Sequence, residues 1–273
     1  MRGIENVSNK TVVLTGVTSG IGAEFLKMIA DPKLNNTVLA VSRTAEEKLA
    51  GCASNIIPFN ADITKKEDID KIFDKAESLF GKIDIFYNNA GFPYIERFDY
   101  LDWDRIEYIF NGNTLGPVYM YTKYLNHLNG RPGHLAYTIS CIGKMALPAY
   151  ALYTSSKYGL MGFQEAIRLE MPDSMKLTCL NPPPTATNFF LTGSDGVKVK
   201  EPWPVFPARS IAAIMFKGMA AGKEEVYPWV WKVLWPVFKN FRFTQKIYWA
   251  IEKRNMRYNL DAIAAAKKES AKK

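Results

Sequence analysis

Tyr153 and Lys157 stand four residues apart in Tyr153-Thr154-Ser155-Ser156-Lys157, and Ser140 lies thirteen positions upstream. Four residues is about one helical turn, so on a helix the phenol and the ammonium project from one face. A free tyrosine, with a pKa of about 10, is a poor acid or base near neutrality; a nearby cation stabilises the phenolate and moves the group towards the working range. A hydroxyl such as Ser140 can hold a carbonyl oxygen beside that phenol. Together these groups suit the reduction of a carbonyl, or the reverse oxidation of an alcohol, given a hydride donor. A Tyr-x-x-x-Lys pair alone is also what an exposed helix face shows, so its meaning depends on its company.

That company is a glycine turn, Thr15-Gly16-Val17-Thr18-Ser19-Gly20-Ile21-Gly22. Before it, 10–15 reads as a short buried strand rich in β-branched residues; after it, 23–30 continues as a helix with apolar positions at 25, 26, 28 and 29. Strand, glycine turn and helix form the setting of a phosphate cradle, in which the backbone approaches a pyrophosphate at a helix N-terminus.

With these motifs the chain resembles the short-chain dehydrogenase/reductase family in its compact single-domain form, over about residues 10 to 190. The family's T-G-x-x-x-G-x-G is matched by Thr15, Gly16, Gly20 and Gly22, and its N-N-A-G by Asn88-Asn89-Ala90-Gly91. The resemblance implies a catalytic set of Asn113, Ser140, Tyr153 and Lys157, with Asn113 positioning a water towards the lysine. It also implies a dinucleotide site built from Gly16, Thr18, Ser19, Gly20, Ile21 and Gly22, from Asp62 and Ile63 after the third strand, from Asn89, Ala90 and Gly91, and from Tyr153 and Lys157. Pro182, Thr185 and Thr187 would flank the nicotinamide. One departure stands out: where the family has Asn-Pro-Gly, this chain has Asn181-Pro182-Pro183-Pro184, which fixes φ and deletes N–H groups, so the loop beside the nicotinamide is stiffer.

The second strand, 37–42, ends in Ser42-Arg43 with no carboxylate. A carboxylate there would bind a ribose 2′-hydroxyl, whereas an arginine suits a 2′-phosphate, so NADP(H) is favoured, with NAD(H) as the alternative if Arg43 only stacks on adenine or caps a helix.

At 273 residues and 48% hydrophobic content the chain can bury a large core without disulfides. Cys52, Cys141 and Cys179 lack metal-ligand spacing, so no metal site is read; Cys141 is expected as core packing and not as a nucleophile. His127 and His134 are expected as solvated residues at element ends. A reducing, cytoplasmic setting is the simplest fit, and 1–10 lacks the apolar core of a signal peptide.

Strands are predicted near 10–15, 37–42, 55–60, 83–88, 133–140 and 175–181, and helices near 20–30, 45–50, 65–80, 102–128 and 151–171. This alternation predicts an α/β fold, a doubly wound, Rossmann-like parallel sheet, as a single domain with a C-terminal aromatic and basic helical extension. The expected division is a catalytic domain over 1–222, including a substrate lid at about 187–209, and the extension over 223–273. The resemblance implies a homodimer or homotetramer pairing the helices near 102–128 and 151–171.

The lid carries Phe189, Phe190, Leu191, Trp203 and Phe206, which suit a bulky apolar substrate with one carbonyl or hydroxyl, steroid-like, long-chain or aromatic, or else complete the core. Phe92, Pro93 and Tyr94 could wall the other side. From Lys223 to Lys273 there are twelve Lys and Arg against five Asp and Glu, so +7 of the chain's +8 lies there, with Trp229, Trp231, Trp235 and Trp249. The run 230–238 is too short and interrupted to span a bilayer. Interleaved aromatics and cations suit a helix at a membrane surface, or else packing of the aromatics over the substrate opening or between subunits with the charges in water; nucleic acid is not favoured, since no recognition motif accompanies the charge. The last residues, 264–273, are expected as a frayed helical end.

The function these readings favour is an NADP(H)-dependent oxidoreductase interconverting a carbonyl and a secondary alcohol. A reductase of carrier-bound 3-oxoacyl chains and a dinucleotide sensor without turnover are the alternatives.

Overall fold

The computed structural model describes residues 3–99 and 101–270. Six strands fall where hydrophobic periodicity puts them: β1 Thr11–Thr15, β2 Thr37–Ser42, β3 Ile56–Asn60, β4 Ile85–Asn88, β5 Gly133–Thr138 and β6 Met175–Leu180. Their near-continuous apolar runs, such as Val12, Val13 and Leu14, all fully buried, are what a parallel sheet covered on both faces requires. Two short strands, β7 Thr185–Ala186 and β8 Phe206–Pro207, pair with each other, and β9 Glu225–Val226 joins the main sheet. The sheet order is β3-β2-β1-β4-β5-β6-β9, every pair parallel. Because β9 lies past position 222, the sheet runs beyond the expected catalytic boundary and takes its last strand from the range assigned to the extension.

Helices cover the two faces. They are α1 Gly20–Ile29, α2 Ala45–Lys48, α3 Lys66–Phe80, α4 Trp103–Phe110, α5 Gly116–Leu128, α6 Ala151–Ile167, α7 Phe189–Gly193, α8 Ala208–Ala220, α9 Trp229–Asn240 and α10 Arg242–Ser270. On α3 the buried residues are Ile69, Ile72, Phe73 and Ala76, one stripe at helical spacing, with charges on the other side. One apolar cluster joins α1 and α8 to the sheet through Phe25, Ile29, Met215 and Met219; a second joins α3, α5 and α6 to the other face. Buried phenols in these layers find partners, as when the Tyr124 hydroxyl donates to the Asp84 carbonyl at 2.9 Å.

The predicted single helix over 102–128 is two helices joined by a π-helical turn, Asn111–Leu115. Pro117 has no N–H to give to the Asn113 carbonyl four residues back, and the chain takes up an extra residue here, the Gly116 N–H bonding the Asn111 carbonyl. The expected frayed end over 264–273 is helical as far as Ser270; residues 271–273 lie outside the described part.

The strand order reverses direction between β1 and β4, so the loops at their carboxyl ends diverge and leave a crevice. A third apolar cluster, containing Ile109, Tyr150, Tyr153, Phe190 and Ile263, draws on α4, α6, α7 and α10.

Candidate active site

One cleft at the carboxyl ends of the strands is lined by Gly16, Ser19, Gly20, Arg43, Asp62, Asn89, Ser140, Tyr153, Lys157, Pro182, Thr185 and Thr187 among others. Thr18, Ile21, Gly22, Ile63, Ala90 and Gly91 complete the sequence-predicted dinucleotide residues in the same lining. Asn113 is the exception: it has no exposed surface and stands behind the wall.

The turn after β1 fits a pyrophosphate because its backbone is packed too tightly for side chains. A Cβ at Gly22 would collide with the Gly16 carbonyl oxygen. The Asn89 amide pins this turn, donating to the Thr15 and Gly16 carbonyls at 3.1 and 3.2 Å. Ser19, at the N-cap of α1, makes no side-chain capping bond, which leaves the first turn of the helix free of an internal acceptor. Thr187 closes over the turn from β7, its methyl 3.1 Å from where a Gly20 side chain would begin. At the end of β2 the exposed Arg43 guanidinium donates to the Tyr108 hydroxyl at 3.1 Å, beside Thr18 and Ser42, whose hydroxyls lie 3.0 Å apart. Asp62 is held in its own turn, accepting from the Thr64 N–H at 3.0 Å and the Thr64 hydroxyl at 2.8 Å. Backbone approach, a bare helix N-terminus and a cation at the second strand are the features that a dinucleotide phosphate requires.

The π turn places Asn113 where it is clamped from two sides. Its carboxamide accepts from the Phe92 N–H at 3.1 Å and donates to the Phe92 carbonyl at 2.8 Å and to the Ser156 hydroxyl at 3.1 Å. Gly91 shows how close the groups are: a Cβ there would lie 2.9 Å from Asn113 Oδ1 and 3.2 Å from Lys157 Nζ. Lys157 is buried and donates to the Thr138 carbonyl at 3.1 Å; the Thr138 hydroxyl in turn donates to Asn89 Oδ1 at 2.9 Å. A single polar chain thus ties the lysine on α6 to the glycine turn after β1.

Tyr153, one turn before Lys157, is buried, with the lysine Nζ 5.9 Å from its ring centroid and Phe189 edge-on at 5.4 Å. Burial pushes its phenol well above the ordinary range, and the neighbouring Ser140 hydroxyl opposes that shift. Burial also brings Lys157 down to about 7. Ser140 caps the turn after β5, its hydroxyl accepting from the Ile142 N–H at 3.1 Å.

The rest of the lining was harder to foresee. Phe189 and Phe190 reach the cleft, whereas Leu191 and Trp203 are exposed and Phe206 packs against the core under α8. Phe92 and Pro93 line it; Tyr94 does not, its ring being covered by the Arg105 guanidinium at 3.6 Å. Met145, Leu147, Tyr150, Trp231 and Tyr248 are lining residues that no motif signals. Trp231 and Tyr248 come from the extension, so α9 and α10 roof the cleft. Ile263 adds to this packing, and Asn259 clamps the lid, bonding the Lys200 N–H and carbonyl at 2.8 and 3.0 Å.

Both histidines are buried, contrary to the expectation of solvated ends. His127 faces inward from the last turn of α5, accepting from the Ile83 N–H at 2.9 Å, with Glu77 2.8 Å from its other nitrogen. His134 lies in the interior strand β5, flanked by β4 and β6, and is buried; burial, aided by Lys176, lowers it to about 4. The Cys141 thiol donates to the Asn181 carbonyl at 3.1 Å and burial raises its pKa, the behaviour of a packing residue although it borders the cleft.

The short chain dehydrogenase model matches residues 10–195. An 11-beta-hydroxysteroid dehydrogenase of Pinus massoniana is 26% identical over 262 residues, 89% of this chain and 72% of that protein. The 11-beta-hydroxysteroid dehydrogenase 1A of Arabidopsis thaliana is likewise 26% identical, over 85% of this chain and 74% of its own. Among solved structures, a short chain dehydrogenase from Burkholderia cenocepacia in complex with NADP superposes with a TM-score of 0.73 at 21% identity, covering 87% of this chain and 96% of that one. A short-chain dehydrogenase from Sphingobium yanoikuyae in complex with NADPH gives 0.72 at 20%, covering 86% and 94%. With two thirds of its length matched and the sheet order and motifs in agreement, the chain belongs to the short-chain dehydrogenase family and is an oxidoreductase of that family.

Proposed function

We propose that the protein interconverts a carbonyl and a secondary alcohol on a bulky apolar substrate, using NADP(H) in preference to NAD(H). The observation that carries this reading is the cleft itself: Ser140, Tyr153 and Lys157 stand in one wall, and Phe189, Phe190, Leu147, Tyr150 and Trp231 enclose the space beside them. In the direction of reduction Ser140 orients the carbonyl oxygen and Tyr153 gives it a proton; the raised phenol pKa keeps that proton in place near neutrality. The bound nicotinamide supplies the hydride. Lys157 holds the ribose side of the cofactor site, and Asn113, clamped by Phe92 and Ser156, orders a water behind the lysine for proton supply. Arg43, with no carboxylate at the end of β2, takes the 2′-phosphate. The names of the hydroxysteroid relatives and the NADP and NADPH held by two structural neighbours support the same reading.

The catalytic body on this view runs to Val226, and α9 and α10 form its roof. Pairing between copies through α5 and α6, as a dimer or tetramer, would cover Leu115 and Tyr158, which are exposed beside it. A second reading, reduction of a carrier-bound 3-oxoacyl chain, is favoured by the excess of cations in the extension and by the likeness to a 3-ketoacyl-(acyl-carrier-protein) reductase from Brucella melitensis, TM-score 0.68. Nicotinamide absorbance separates the two: NADPH and NADH are offered in parallel with steroid-like, long-chain and aromatic ketones and with a carrier-bound 3-oxoacyl chain. Turnover of free apolar ketones, faster with NADPH, is the expected result. Turnover of the carrier-bound chain alone establishes the second reading.

A further inference from the structure

The long helix α10 carries apolar side chains on two opposite sides. At 100° per residue, Tyr248, Glu252, Asn259 and Ile263 fall within about 60° of one another: Tyr248 lines the cleft, Asn259 clamps the lid, Ile263 joins the buried cluster and Glu252 is buried. Phe243, Ile247, Ile251 and Tyr258 fall within about 80° on the far side, and they are 61%, 58%, 57% and 54% exposed. Phe241, 55% exposed, extends this row, its ring 6.2 Å from that of Phe243. The inner face already has its packing partner, so the outer row is not the core side of a helix turned the wrong way. A continuous apolar row held in water marks a surface that something else covers.

Charge indicates what covers it. Lys246, Lys253 and Arg257 run along one flank of the row and Arg254 lies within it, all exposed; Asp261, one turn past Tyr258, is the one carboxylate on this side before residue 262. A second copy docked two-fold through this face would bring one patch of four cations against another of the same sign, with Asp261 as the one carboxylate on this side before residue 262 to answer them. An acidic protein would answer the cations but leave unexplained a row of phenylalanine and isoleucine. An anionic bilayer answers both, with the apolar row in the acyl boundary, Tyr258 at headgroup depth and the cations against lipid phosphates. No described helix is long and apolar enough to cross a membrane, so the contact is peripheral.

We propose that the outer face of α10 docks on an anionic lipid surface. Because the inner face of the same helix carries Tyr248 into the cleft lining, and the Tyr248 hydroxyl donates to the Trp203 carbonyl of the lid at 3.2 Å, docking sets roof and lid against the bilayer. The lid's Trp203, 74% exposed, would then meet lipid too. An apolar substrate dissolved in that bilayer reaches the cleft without crossing water, a consequence that rests on the substrate reading above; the docking itself does not.

The test is sedimentation of the full chain with vesicles of phosphatidylcholine alone and of phosphatidylcholine with phosphatidylserine, without substrate or turnover, so that failure of the docking and failure of the proposed reaction are seen separately. Binding to the anionic vesicles that falls as salt rises, with little binding to neutral ones, is expected. The double substitution Ile247→Asn with Ile251→Asn should weaken binding at least tenfold. Replacing Lys246, Lys253 and Arg257 by Gln should weaken it by about fivefold for each cation. Melting temperature and turnover of a soluble ketone should stay as in the wild type; if the apolar variant melts early, the Gln variants and the salt series decide. Equal binding of wild type and Gln variants, or no binding to anionic vesicles at low salt, overturns the proposal. So does self-association lost in the Ile247→Asn and Ile251→Asn variant, which would make the face an interface between copies, or capture of an acidic carrier protein in place of vesicles.

Discussion

The body of the sheet and the C-terminal helices handle apolar residues in opposite ways. On α3 the apolar stripe is buried and charges face water, so the helix has one side with a partner and one without need of it. On α10 the inner side is packed over the cleft and the outer side still shows Phe243, Ile247 and Ile251. Buried polar groups without a partner among the described residues do not separate the two regions: Asn88, His134 and Asn181 have such atoms in the body, as Trp231 and Glu252 have at the roof. What sets the body apart is the bonded chain from Lys157 through Thr138 and Asn89 to the glycine turn, and what sets the roof apart is its exposed apolar row.

Trp231 is where the two regions join, and its replacement breaks the comparison most severely. Buried and lining the cleft, it should cost about 3 to 5 kcal/mol when changed to Ala, and raise KM for a bulky ketone more than it lowers kcat. Denaturant unfolding with steady-state kinetics checks this; an unchanged midpoint would mean that the extension is merely appended. A change confined to the body comes next. Arg43→Asp should weaken NADPH by roughly 1 to 3 kcal/mol through a lost charge-assisted contact and new repulsion, and leave NADH as good or better, as read by dinucleotide titration. A preference ratio that does not move would remove Arg43 from the cofactor assignment.

The smallest effect concerns pH. Burial holds Lys157 near 7, below its ordinary value, so its charged form prevails only below that pH. An anionic dinucleotide prefers the cation; its affinity should therefore fall as pH rises from about 6 to 8, by at most about tenfold per unit, the limit for one proton. Lys157→Met should flatten the slope, and the comparison with wild type cancels titration of the 2′-phosphate itself. Identical slopes would place the titration elsewhere.

Most of the body was legible because its signals are local. A glycine turn between a β-branched strand and a helix, or Tyr and Lys one turn apart, carries its geometry within a few residues, and the strand boundaries follow the apolar runs closely. The π turn at Asn113 was hidden because Gly112 and Pro117 read as ordinary punctuation in a helical pattern. The burial of His134 depends on which strands flank β5, which a single strand does not announce. Composition told that the tail was aromatic and basic, and left open whether it packs or meets lipid. The fold shows that Trp231 and Ile247 face opposite ways, a distinction made by tertiary docking of α9 and α10.

The central claim is that Tyr153 gives the proton when the carbonyl is reduced. The direct measurement is kcat for a bulky ketone with Tyr153→Phe, alongside the dissociation constant for NADPH. The change removes one hydroxyl from a ring that keeps its packing against Phe189. A fall in kcat of at least about a hundredfold with NADPH affinity unchanged is the predicted result. Turnover near that of the wild type, with affinity intact, would contradict the account.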